Sequence, residues 1–209
     1  MEPVMLKKLL LMTFSAALLL LVGCSDNNQP EFGKHYHDLP SDLSDVIADP
    51  VVEVFSLTCG HCMNLEPQLP AIKQGFGGDI GKVHVTFNDA SRSAAMFFYA
   101  GVTQLGETPN TEFMAGLFNL YHGSFSSSEE KIAALNKTFT DAGIISPYEL
   151  SEAQIADVLE ASKIAEIVTS RAKIQAVPTF IVKGKYLVDL SSHQSSEDIA
   201  NTIKYLLEK

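Results

Sequence analysis

The junction between residues 51 and 66 constrains this chain most. Val51 to Leu57 (Val-Val-Glu-Val-Phe-Ser-Leu) is rich in β-branched residues and mostly apolar, the composition of a buried central strand. It runs directly into Thr58-Cys59-Gly60-His61-Cys62, then into a stretch of helical composition from Met63 to about Gln74 that Pro67 and Pro70 should kink or break. Two thiols are therefore expected at the first turn of a helix that follows a buried strand. Two intervening residues let the sulfurs approach bonding distance while Cys59 stays at the exposed end. Unpaired N–H groups and the helix dipole favour negative charge there, which makes Cys59 the candidate nucleophile. His61 can add a donor or a positive charge, and Cys62, one turn in, is the shielded resolving thiol.

Dithiol redox chemistry fits this arrangement better than other uses of a Cys-x-x-Cys pair, and it needs no cofactor. Haem attachment requires a histidine directly after the second cysteine, where Met63 stands. A structural zinc site wants four ligands, and the chain has only three cysteines and no second pair. An inert disulfide across so short a loop stabilises little on chain-entropy grounds. Copper delivery through Cys59, Cys62 and a nearby Met or His remains an alternative of a different class, as does a peptide-binding module.

The rest of the chain supplies the frame. Lys82 to Phe87 alternates and reads as a second strand. Four helices are expected over Ala94–Ala100, Thr111–Tyr121, Glu129–Phe139 and Glu152–Thr169, separated by Gly, Pro and Ser clusters. The last of them sets Ile155, Val158, Ala161, Ala165 and Val168 on one face. Strands return at Thr179–Val182 and Tyr186–Val188 around a turn at Gly184, and a helix from Ser195 to about Leu207 closes the chain. This order packs most simply as an α/β fold, a mixed sheet with an inserted helical block. Of the 209 residues, 46% are hydrophobic and 19% charged, a folded composition, and the net charge of −10 argues against nucleic acid as the main ligand. His84 and His193 read as surface or core-satisfied histidines, and Met96, Phe97, Phe98, Phe113, Met114 and Phe118 as core.

The first 23 residues read as a leader. Lys7 and Lys8 precede an apolar run over residues 9–22, too short to span a bilayer comfortably and suited to a secretory signal. Leu21-Val22-Gly23-Cys24 resembles the lipobox of bacterial lipoproteins, which implies acylation of Cys24 and attachment to a membrane. Residues 24–33 are polar and read as a tether.

Glu53-Val-Phe-Ser-Leu-Thr-Cys59-Gly-His-Cys62, with Val177-Pro178-Thr179 downstream, resembles the thioredoxin superfamily. Pro178 lies 116 residues after Cys62, more than a plain thioredoxin needs, and the excess is the helical block. That arrangement resembles the DsbA family of periplasmic thiol:disulfide oxidoreductases, from Phe32-Gly33-Lys34-His35-Tyr36 through Lys82-Val83-His84-Val85 to Lys183-Gly184-Lys185-Tyr186. The resemblance implies a thioredoxin-like domain over 34–90 and 169–209 with a helical insertion over 91–168. It implies that Pro178 is a cis-proline facing the disulfide and that Val177 offers its backbone to an incoming peptide. It also implies a pairing of Glu53 with Lys82 beneath the disulfide, the alternative being that Glu53 sits at a solvated strand end. The implied substrates are reduced exported polypeptides, and the implied reoxidant is a DsbB-like quinone-linked membrane protein. Isomerase or reductase activity is the same-class alternative. Two residues depart from the pattern: Gly60-His61 replaces the Pro-His of DsbA proteins and matches eukaryotic protein disulfide isomerase, and Thr58 stands where thioredoxin has Trp.

Overall fold

A computed structural model describes residues 29–209. The leader at 1–23 and the lipidation expected at Cys24 lie outside the described residues. Five strands form one mixed sheet: β1 (Tyr36–Asp38), β2 (Val51–Phe55), β3 (Gly81–His84), β4 (Thr179–Val182) and β5 (Tyr186–Val188), in the order β1-β5-β4-β2-β3. Only β2 and β3 pair in parallel, with Glu53 opposite Lys82; the other pairs are antiparallel. All five residues of β2 are buried, because layers cover both faces of this central strand. Val51, Glu53 and Phe55 point to one face and Val52 and Val54 to the other, so one charged side chain is carried into the interior.

The described residues hold seven α-helices: α1 (Gly60–Leu65), α2 (Leu69–Phe76), α3 (Asp89–Leu105), α4 (Thr111–His122), α5 (Ser128–Asp141), α6 (Glu152–Arg171) and α7 (Ser196–Glu208). Helices α2 and α7 cover one face through Leu69, Ile72, Ile199 and Ile203. The C-terminal end of α6 covers the other with Val168, against Val52, Val54 and Val83. Helices α3 to α6 build a further core around Phe98, Phe113, Met114, Leu117 and Phe118, which takes in Phe55, Leu57 and Cys62. The dithiol therefore sits where the helical block meets the sheet.

The differences from the sequence reading have local causes. The helix after the cysteines starts at Gly60, earlier than expected, and Pro67 and Pro70 divide it into α1, a 3-10 turn at Glu66–Gln68, and α2. Strands β2 and β3 each end short of the apolar runs that suggested them. One further bond, from the Val85 N–H to the Phe55 carbonyl, extends the ladder before the chain leaves the sheet and the Thr86 N–H turns to Thr169 Oγ1. Helix α3 runs well beyond Ala94–Ala100 because Asn88 and Ser91 form a capping box at its start. Ile155 was expected on the buried face of α6, yet it is 43% exposed, while Val158, Ala165 and Val168 are buried as that face requires. Strand β1 was not anticipated from composition; its three residues pair with β5. The β4–β5 turn places both Lys183 and Gly184 at positive φ, the two-residue geometry that matches the twist of a hairpin.

Candidate active site

Cys59 is the N-cap of α1 and is partly exposed, whereas Cys62 is fully buried one turn inside. The Cys59 N–H donates to the Ser56 carbonyl (3.0 Å), and the Met63 N–H closes the first helical turn on the Cys59 carbonyl (3.2 Å). Ser56 Oγ bonds Thr58 Oγ1 at 2.9 Å, which tightens the same turn. Across from it, the Val177–Pro178 peptide is cis, and the Cys59 thiol donates to the Val177 carbonyl at 3.4 Å. A cleft of about 700 Å³ opens here, walled by His37, His61, Ile174, Pro178, Leu187 and Leu190. Its walls are mostly apolar, and it includes Val177, whose carbonyl accepts from the Cys59 thiol.

Burial pushes the Cys62 thiol well above the usual cysteine range, and the neighbouring Cys59 sulfur and the Glu53 carboxylate push in the same direction. A thiol in that setting holds its proton, so the exposed partner is the one placed to attack or be attacked.

Beneath the pair, Lys82 on β3 binds two carboxylates. Its ammonium bonds Glu53 Oε2 directly and Glu66 Oε1 at 2.6 Å, and it lies 5.0 Å from the centre of the Phe55 ring. Glu53 is fully buried and Lys82 is 5% exposed. Burial raises the Glu53 carboxyl, partly offset by Lys82 and reinforced by Glu66. Burial alone would lower Lys82, but the two carboxylates together carry it above the usual lysine range. One cation thus serves two acids, and the deeper acid is the one poised to hold a proton. Among the described residues, Glu53 Oε1 has no hydrogen-bond partner. A separate cleft of about 610 Å³ is lined by Lys82 and Glu66, so the far side of this cluster reaches open space.

Sequence reasoning paired Glu53 with Lys82 but missed Glu66, which looks like an ordinary charged residue at a proline-broken helix end. Its spacing of four from Cys62 was the available signal, since i and i+4 share a helix face. His122 also escaped the sequence reading, whereas His84 is core-satisfied, one of the two readings given for it. His84 is fully buried, and its Nε2 accepts from the Leu57 N–H at 2.9 Å while Nδ1 donates to the Val85 carbonyl at 2.7 Å. Burial pushes its pKa down to about 4, so it stays neutral. His122, at the end of α4, donates from Nε2 to the Leu57 carbonyl at 2.9 Å. His193 is satisfied by the Asp189 carbonyl and Thr202 Oγ1. Among the described residues, no group of three or more His, Cys, Asp or Glu side chains gathers as metal ligands.

Comparison with known proteins agrees with this geometry. A family model described as thioredoxin matches residues 48–205. The thiol:disulfide interchange protein DsbA of Burkholderia cepacia is 26% identical over 167 residues, covering 76% of this chain and 74% of that protein. Among solved structures, DsbL of Salmonella enterica serovar Typhimurium superimposes with a TM-score of 0.64 at 20% identity, covering 85% of this chain and 96% of that one. Proteus mirabilis DsbA, in a complex of a cysteine-to-serine variant with the non-covalently bound peptide PWATCDS, gives 0.60 at 22% identity, covering 87% and 100%. The chain belongs to the thioredoxin family and has the fold of the DsbA and DsbL proteins, with a helical block inserted into the thioredoxin-like sheet.

Proposed function

We propose that this protein is a thiol:disulfide oxidoreductase that introduces disulfides into exported polypeptides through Cys59 and Cys62. The observation that carries the reading is the asymmetry of the pair: Cys59 caps α1 at the mouth of a cleft, 3.4 Å from the Val177 carbonyl, while Cys62 is sealed below it. In the oxidised form, a substrate thiolate attacks Cys59 Sγ. The Cys59–Cys62 bond breaks, its electron pair goes to the Cys62 sulfur, and that sulfur takes up a proton. A second substrate thiolate then attacks the substrate sulfur of the mixed disulfide and releases Cys59. The substrate leaves oxidised by two electrons and the protein is left as the dithiol. Glu53, whose carboxyl burial pushes above the usual carboxylate range, is the group near Cys62 through which a proton can reach the departing sulfur; Lys82 and Glu66 connect it to the second cleft.

The Val177 carbonyl and the cleft beside Pro178 are the surfaces on which a substrate segment lies. The peptide complex of the Proteus mirabilis DsbA supports that assignment, as does the DsbA name of the Burkholderia relative. In this reading the protein works outside the cytoplasm on a lipid tether at Cys24, where a DsbB-like quinone-linked membrane protein would regenerate the disulfide. Oxidised protein incubated with a reduced two-cysteine peptide should yield one peptide disulfide per protein dithiol. No transfer in either direction would overturn the reading.

A further inference from the structure

Leu57 stands two residues before the nucleophile, and its peptide groups are gripped by histidines from two distant elements. The N–H donates to His84 Nε2 and the carbonyl accepts from His122 Nε2, each at 2.9 Å. His84 ends β3, and His122 is the last residue of α4, 65 positions away in the chain and inside the helical block. A carbonyl can only accept, so His122 Nε2 carries the hydrogen; an N–H can only donate, so His84 Nε2 is bare. The Leu57 side chain is itself fully buried, which leaves this peptide unit little freedom to turn. The Ser56–Cys59 turn hangs from it, through the Cys59 N–H on the Ser56 carbonyl. The His122 ring lies over the same turn: a Cβ added at Gly60 would come within 3.9 Å of its Cε1.

Disulfide exchange requires three sulfurs nearly in line, so the direction in which Cys59 Sγ points decides how often an encounter is productive. We propose that His122 is a positioning residue for the nucleophile, its Nε2–H fixing the Leu57 carbonyl and so coupling the helical block to the turn that presents Cys59. The proposal rests on the dithiol-exchange reading above.

The rate at which the oxidised full chain forms a mixed disulfide with glutathione tests it, with urea unfolding of each variant as a check on the fold. The side chain also packs against Phe118, with ring centres 6.2 Å apart, so the variants must separate packing from hydrogen bonding. His122→Phe keeps a ring and loses the donor. His122→Gln places an amide nitrogen near the position of Nε2, and His122→Asn places one near Nδ1, which bonds nothing at Leu57. The Phe and Asn variants should react about three- to tenfold more slowly, the factor that corresponds to one neutral hydrogen bond. The Gln variant should stay within about twofold of the native protein from pH 6 to pH 8. Native rates for His122→Phe would overturn the proposal in favour of packing. A Gln variant as slow as Phe would overturn it in favour of imidazole charge. A native protein that does not exchange with glutathione at all would remove the dithiol reading itself, and this proposal with it.

Discussion

Removing the ammonium of Lys82 is the most informative single perturbation of the buried cluster. Lys82 is nearly sealed and neutralises two acids at once, one of them fully buried. At the 2.6 Å separation from Glu66 the Coulomb attraction is about 6 kcal/mol at an effective dielectric constant of about 20, before the cost of desolvation is subtracted. Breaking a buried pair by deleting one partner typically costs about 3–5 kcal/mol, because the survivor is left uncompensated. Lys82→Met, which keeps the apolar stem against Phe55, should therefore lose about that much at pH 7. With a urea slope of about 2 kcal/mol per molar, the unfolding midpoint should fall by about 1.5–2.5 M.

The pH dependence is a second, independent mark of the same cluster. A carboxyl whose folded pKa is raised contributes stability below its unfolded value and loses it as pH rises through the folded value. Glu53 is such a group, and without Lys82 it is raised further. The Lys82→Met penalty should shrink toward pH 5, as Glu53 takes up its proton, and be complete by pH 8. Glu53→Gln should be milder, because Lys82 keeps Glu66, and it should flatten the pH profile of stability. A double Glu53→Gln/Lys82→Met variant should be more stable than Lys82→Met alone. A midpoint shift under about 0.5 M, or one equal at pH 5 and pH 8, would refute the reasoning.

Three further outcomes are expected. Reduced protein should be alkylated by iodoacetamide at Cys59 at least about tenfold faster than at Cys62 at neutral pH, as peptide mapping by mass spectrometry will show; equal labelling would reverse the roles. Cys62→Ser should accumulate mixed disulfides with substrate, and Cys59→Ser should trap none on non-reducing gels. Cys24→Ala should move the protein from the membrane fraction to the soluble fraction with its dithiol exchange intact, and loss of exchange in the soluble form would contradict the tether.

What the sequence made legible is what local pattern can encode. The apolar run before Cys59, the two-residue spacing, the Val177-Pro178 step and the proline breaks after Met63 each act over a few residues, and each predicts a local geometry. The mixed sheet with an inserted helical block follows from the order of strand and helix patterns along the chain. The support beneath the dithiol is different in kind. Glu66, at the start of the 3-10 turn, meets Lys82 across 16 residues, and His122 meets Leu57 across 65. No local pattern marks His122, and the one local signal for Glu66 is its spacing of four from Cys62. Ile155 shows the converse: helical periodicity placed it on the apolar face, yet it is exposed near the start of α6. Strand β1 is three residues long, too short for an alternation to show.

The equilibrium of the Cys59–Cys62 couple with a glutathione redox buffer tests the central claim most directly. The chain has no tryptophan, so the ratio of dithiol to disulfide is read by gel-shift alkylation or mass spectrometry. Gly60 in place of proline leaves the loop more mobile and moves the expected potential away from the oxidising extreme. The account predicts a two-electron couple between about −180 mV, the value of protein disulfide isomerase, and about −120 mV, that of DsbA, with net oxidation of a reduced peptide. A potential near the −270 mV or so of thioredoxin, with rapid insulin reduction and no peptide oxidation, would contradict it.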